Sequence, residues 1–317
     1  MKFLNPFASL LAKKTISSGK TGLYWVDGRI VICHVTNPAS NRFILEKCLI
    51  KEWDPMVDGV EGMANLLKQE NLAETTTVLC LELGTYDLFP FDAPKVPWEE
   101  VTNTIRFMVC DKLNYPEKDL VVDCFKIPPV TRGAALSKIY VVATQKEVIQ
   151  SKVDVLHELP VRLDAIEIPE ISIHYLIGGM LAESEKGVAF LYLARNGKGF
   201  ILISHMEQIY LARQTAVELS NQPGIAFAAM EKLALEVQRS LEYYQNTYGA
   251  QPVATLLVAA QHNPDYFVNE MAERLDLSVK ILDISKLVSG LEIIPKDAFG
   301  LCLPAICAAM RPVVVAP

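Results

Sequence analysis

From residue 21 onward the apolar positions fall into short runs separated by turn residues, and these runs predict strands. Residues 21–26 and 29–36 flank Asp27-Gly28, a pair that tolerates positive φ and closes a two-residue hairpin. Asn37 to Asn41 turns the chain into a third strand over 42–50. Met56, Val60, Met63 and Leu67 then recur at helical spacing, predicting one helix over 56–69. The continuous apolar run 77–83 predicts a strand buried on both faces.

The pattern changes after residue 84. Pro97 opens a helix with Glu99 and Glu100 in its positive first turn and a stripe of Val101, Ile105, Met108 and Leu113. Strands follow near 120–126 and 136–144, then a helix over 145–158 and a strand over 162–168. This is a βαββα-like unit set into a larger frame. The second half restates the first. Strand signals at 187–194, 199–204 and 208–213 precede a long helix from about 224 to 248. Its apolar stripe includes Met230, Leu233, Val237, Leu241 and Tyr244, and Gly249 is its stop. A strand over 252–260, a helix over 265–275, a strand over 278–282 and a last helix broken by Pro304 complete the pattern. Two halves with the same order of elements predict an α/β, actin-like (ribonuclease-H-like) two-lobed fold. Its expected parts are a lead segment 1–20, a first lobe 21–84, an inserted subdomain 85–168 and a second lobe 169–317.

Composition narrows the class. A net charge of −7 with no strongly basic segment argues against nucleic-acid binding. Seven cysteines without CxxC pairing read as reduced, buried thiols, and neither they nor the five histidines have metal-ligand spacing, so no metal is expected. No apolar run approaches the length needed to span a bilayer. At the start of the chain, Phe3, Leu4, Phe7, Leu10 and Leu11 beside Lys13 and Lys14 form either a loosely ordered terminus or a small patch for a membrane surface or partner.

Several segments go further. Asp92-Ala-Pro-Lys-Val-Pro97, with Glu100, Arg106 and Asp111, is followed by Asp119-Leu-Val-Val-Asp-Cys-Phe-Lys-Ile-Pro128. Ala165-Ile-Glu-Ile-Pro-Glu170 and Leu235-Glu-Val-Gln-Arg-Ser-Leu-Glu-Tyr-Tyr244 come next, in an order and spacing that resemble the MshI family of MSHA pilus biogenesis proteins. More distant relatives of that family are the PilM proteins of type IV pili and the cytoplasmic part of the type II secretion L protein. The resemblance implies a cytoplasmic scaffold, peripheral on the inner membrane through its partners. It would dock the N-terminal peptide of a PilN-like protein (MshJ in the MSHA system), with the pilus motor ATPase or platform as a further partner. The groove between the first lobe and the inserted unit is the expected surface, with Tyr86 and Phe89 as its candidate residues.

Actin-like ATPases hold phosphates in two hairpins built from small residues and an acid. Here the first hairpin reads Tyr24-Trp25-Val26-Asp27-Gly28-Arg29, with Asp27 explained by the turn. The second reads Leu193-Ala194-Arg195-Asn196-Gly197-Lys198-Gly199, whose Gly197 and Gly199 are either hairpin residues or a leftover cradle. Ala259-Ala260 stands where a Gly-Gly pair would admit the adenosine. Gly19-Lys20-Thr21 ends like a P-loop but lacks its first glycine, since Lys14 occupies that place. The expectation is a pseudo-ATPase without catalytic residues or cofactor, its vestigial cleft formed by Asp27, Gly28, Gly197, Gly199, Ala259 and Ala260. An ATP-binding ATPase and a type II secretion scaffold are the alternatives.

Overall fold

The structure, a computed structural model, describes residues 19–39, 42–113, 115–129, 138–181, 187–205, 208–218, 223–249, 252–295 and 297–312. The apolar patch within residues 1–18 lies outside these. The first lobe starts with a meander of β1 (Lys20–Val26), β2 (Arg29–Ala39) and β3 (Arg42–Glu52). Asp27 and Gly28 both take positive φ, 49° and 68°, as the two-residue hairpin requires. The helix expected over 56–69 is two, α1 (Pro55–Asp58) and α2 (Glu61–Gln69), because Gly59 leaves helical geometry at φ 67°. Its carbonyl accepts from the Trp53 indole at 2.9 Å. β4 (Thr76–Cys80) then runs parallel to β1.

The inserted unit holds β5 (Asp87–Asp92), α3 (Trp98–Leu113), β6 (Leu120–Lys126), β7 (Lys138–Gln145) and α4 (Lys146–Glu158). Its three strands pair antiparallel in the order β5-β7-β6, with α3 on one face through Val101, Ile105 and Val109. The next strand, β8 (Arg162–Glu167), was expected in this unit. It pairs instead with β4, so the insertion ends near residue 158 and the chain rejoins the first-lobe sheet.

After α5 (Pro169–Leu181) the second lobe contains β9 (Val188–Leu193), β10 (Lys198–His205), β11 (Gln208–Ala216), α6 (Pro223–Tyr248), β12 (Thr255–Ala260), α7 (Pro264–Arg274) and β13 (Ser278–Ile281). Its sheet order is β11-β10-β9-β12-β13. The first-lobe order is β3-β2-β1-β4-β8, the same plan of three antiparallel strands followed by two parallel ones. The repeat read from periodicity is therefore present in space. The second lobe does not extend to the end of the chain, however. β14 (Val288–Ser289) joins the first sheet beside β3, and α8 (Phe299–Ala309) packs on β1, β2 and β4.

α8 is buried all round from Gly300 to Ala309, as a helix without a polar face must be. It touches the first lobe at Gly22, where an added Cβ would run into the Ala305 carbonyl, and the second at Gly300, where one would meet the Ala260 carbonyl. Pro304 does not break it. The carbonyl deprived of its partner is that of Gly300, four residues back, and it accepts instead from the buried Tyr192 hydroxyl at 3.0 Å.

Candidate functional site

Both hairpin tips face one interlobe cleft, around Glu82 just beyond β4. Burial pushes the Glu82 carboxyl up, Asp27 pushes it further, and Lys152 and Lys198 oppose the shift. Lys198 comes from the second lobe, and its side chain lies so close over Gly84 that an added Cβ there would overlap the ammonium. Lys152, from α4, sits 4.6 Å from the Trp25 ring centre, and Trp25 stacks on Trp53 at 5.0 Å. Burial lowers its pKa while Glu82 resists. Two carboxylates, Asp27 and Glu82, and two ammonium groups, Lys152 and Lys198, thus gather where the first lobe meets Lys198 of the second. Lys198 belongs to the hairpin read from sequence, but Glu82 and Lys152 were not singled out, although a charged residue at the C-terminal end of a parallel strand is the relevant signal for Glu82.

Three backbone donors of the second hairpin are already engaged. Gly197 N–H donates to Ala194 O at 3.0 Å, Lys198 N–H to Asn196 Oδ1 at 3.1 Å, and Arg195 N–H to Gln261 Oε1 at 3.1 Å. Gly197 needs its glycine for a φ of 80°, and Gly199 because the Tyr192 carbonyl presses against it. Gly28 has open space around it and needs only its φ. Ala259 and Ala260 are buried beside Tyr192 and Leu193 of β9, and Gln261 donates to the Tyr192 hydroxyl at 2.7 Å. With Gly300 packed on Ala260, protein fills the space next to this pair.

A second concavity lies between the inserted sheet and α5. The face of that sheet opposite α3 presents Val121, Phe125 and Val142, and α5 presents Ile171 and Tyr175. A cavity of about 440 Å³ there shares Phe125, Ile171 and Tyr175 with a second of about 350 Å³ that continues to Pro128 and Ile209. Among the described residues no strand pairs with the outer edge of β6. The Cys124 N–H donates to the adjacent Asp123 carboxylate at 2.8 Å. One end of the groove is polar. Arg311 Nε donates to Glu167 at 2.6 Å, Ser172 to the other Glu167 oxygen at 2.8 Å, and Lys20 Nζ to the Arg311 carbonyl at 2.9 Å. Burial raises the Glu167 pKa against the pull of Ser172 and Arg311.

Neither residue named for this groove from sequence lines it. Tyr86 is 4% exposed, and its hydroxyl donates to the fully buried Glu170, which also accepts from Gln214 at 3.1 Å. Phe89 packs against the cluster beneath α3, on the wrong face of the sheet. Both were read as accessible because an aromatic residue in a short segment carries no sign of which neighbour will cover it.

Two lobes with the same sheet order, joined across a cleft and carrying an insertion in the first, define the actin-like fold. No sequence-family model matches the chain, and no curated protein matches it by sequence. Among solved structures, the PilM–PilN type IV pilus biogenesis complex is similar to this chain with a TM-score of 0.69 at 14% identity, covering 93% of this chain and 99% of that one. A Bacteroides thetaiotaomicron protein with an actin-like ATPase fold and unknown function gives 0.52 at 7% identity, covering 96% and 100%. The cytoplasmic domain of EpsL, an inner-membrane component of the Vibrio cholerae type II secretion system, gives 0.50 at 10% identity, covering 92% and 94%. At these identities the likeness establishes the fold.

Proposed function

We propose that the chain is a PilM-like scaffold of a type IV pilus of the MSHA kind, and that its groove receives the cytoplasmic N-terminal peptide of a PilN-like (MshJ) membrane protein. The observation that carries this reading is the pair of contiguous cavities beside the open edge of β6. An extended peptide laid there gains backbone hydrogen bonds from the strand and buries alternate side chains against α5. The similarity to the PilM–PilN complex supports the partner class, and the MshI-like segment over 119–128 contains β6 itself. The partner would hold the chain at the cytoplasmic face of the inner membrane. Among the described residues, no helix is long and apolar enough to cross it. The motor ATPase is a further partner in this reading.

The test is a titration of the full chain with that peptide, beside Val121→Lys and Tyr175→Ala, each checked for folding by circular dichroism. We expect each variant to weaken binding by about tenfold or more, a loss of roughly 1.4 kcal/mol. Equal binding by all three would misplace the groove, and no binding at millimolar peptide would reject the scaffold mechanism. Cytoplasmic peptides of type II secretion partners, run in parallel, decide between the two machines.

The cleft is read as a pseudo-ATPase site. Its support is the engaged donors of the second hairpin, the Lys198 side chain over Gly84, and Gly300 on Ala260. Calorimetry with ATP and magnesium is expected to give no binding tighter than about 1 mM, roughly −4 kcal/mol; tighter, magnesium-dependent binding would favour an ATPase.

A further inference from the structure

The cysteines are scattered in sequence but not in space. Cys33 and Cys48 face each other across the antiparallel pair of β2 and β3, and Cys302 of α8 packs onto both. The Cys48 Sγ lies 3.8 Å from that of Cys33 and 3.4 Å from that of Cys302, and all three sulfurs fall within 4.8 Å of one another. Cys33 and Cys302 are fully buried, whereas Cys48 is partly exposed.

We propose that Cys33, Cys48 and Cys302 form a binding site for a soft, thiophilic metal ion, held by three thiolates with a fourth position left for water or another small ligand. An ion bonded at about 2.3 Å to tetrahedrally disposed sulfurs holds them roughly 3.8 Å apart, which the Cys33–Cys48 separation matches and the Cys48–Cys302 separation approaches within a few tenths of an ångström. A disulfide would account for two of these thiols and leave the third without a role, whereas an ion uses all three. The donor set has no carboxylate or carbonyl, which favours zinc, cadmium or cuprous ions over magnesium or calcium. Cys48 supplies the partly exposed way in, and an ion bound to all three sulfurs displaces their thiol protons.

The site would join β2 and β3 to α8, residues 269 apart at its widest span of Cys33 to Cys302. Its test uses the full chain, reduced with a non-thiol reagent and stripped by chelator, then titrated with Cd²⁺ or Zn²⁺. Cd²⁺ is expected to give thiolate charge-transfer absorption that saturates at one ion per chain, with slowed alkylation of Cys48 and a raised melting temperature. Cys48→Ser and Cys302→Ser should each weaken binding by about 100-fold, a loss of ligation that leaves metal-free melting nearly unchanged for the partly exposed Cys48. Cys80→Ser and Cys124→Ser should bind as the parent does. Absence of the saturable signal, or undiminished binding in both cluster variants, overturns the proposal. A Cys48–Cys302 disulfide forming in place of the metal complex also overturns it and assigns the cluster to redox chemistry.

Discussion

Glu170 stands in the first turn of α5, fully buried, where the Tyr86 hydroxyl and the Gln214 amide both donate to it. Burial outweighs these bonds and raises its pKa above the ordinary 4.5. A carboxyl raised on folding binds protons more tightly in the native state than in the unfolded chain. Its contribution to stability is therefore complete below pH 4.5 and is lost as pH rises through the folded value. Glu82 and Glu167 shift the same way, so the informative quantity is a difference. Urea unfolding of Glu170→Gln beside the parent is expected to show the variant gaining relative stability as pH increases from 4.5 toward neutrality. Parallel pH profiles would mean that Glu170 is not the group responsible. The same triad explains why Tyr86 is a structural anchor: a glutamate placed there would set a second carboxyl against Glu170 inside the core.

At the scale of the element, α8 and the two hairpins separate two uses of glycine. Gly22 has an ordinary strand conformation but no room for a Cβ beside the Ala305 carbonyl, whereas Gly28 has room and a positive φ. Gly22→Ala should destabilise by about 3 kcal/mol, the upper end of overpacking costs, because the Cβ would meet backbone. Gly28→Ala should cost about 1 kcal/mol, through backbone strain alone. Thermal melts of the two variants test the difference, and equal losses would contradict the close seating of α8. The expectations drawn from periodicity held for elements whose evidence is local. The hairpin at Asp27-Gly28, the long α6 and the run α3, β6, β7, α4 of the insertion were readable from turn residues and apolar spacing, whereas β5 was not placed. Pro304 was misread because the Gly300 carbonyl it leaves without a partner is satisfied by Tyr192, 108 residues before that glycine. β8 was assigned to the wrong sheet for a related reason: the run Arg162–Glu167 does not say which strand it will pair with. Glu82 and the three-thiol cluster were invisible on the same ground, each depending on groups that only the fold brings near.

For the whole molecule, the inserted sheet matters as a bridge as well as a wall of the groove. The buried Tyr140 of β7 stacks on Phe125 at 5.2 Å, and its hydroxyl accepts the Ala212 N–H of β11 at 2.8 Å, so one side chain ties the insertion to the second lobe. Tyr140→Phe leaves that N–H without its partner and should cost about 1–3 kcal/mol. Hydrogen exchange at β11 should accelerate while β9, at the centre of the same sheet, stays protected. Uniform acceleration would instead indicate global loss of stability. A groove bounded by the insertion on one side and α5 on the other changes shape if that tie loosens, so the same variant is expected to weaken peptide capture without altering any groove side chain.

The return of α8 to the first lobe also bears on how the protein is made. A nascent chain leaving the ribosome completes the second-lobe strands, β9 to β13, before the helix that covers β1, β2 and β4 has been translated. The face holding Gly22, Tyr24 and Cys33 must therefore wait, uncovered, through the synthesis of the insertion and the second lobe, exposed to chaperones and to neighbouring chains. The lobe that begins first is the one that finishes last.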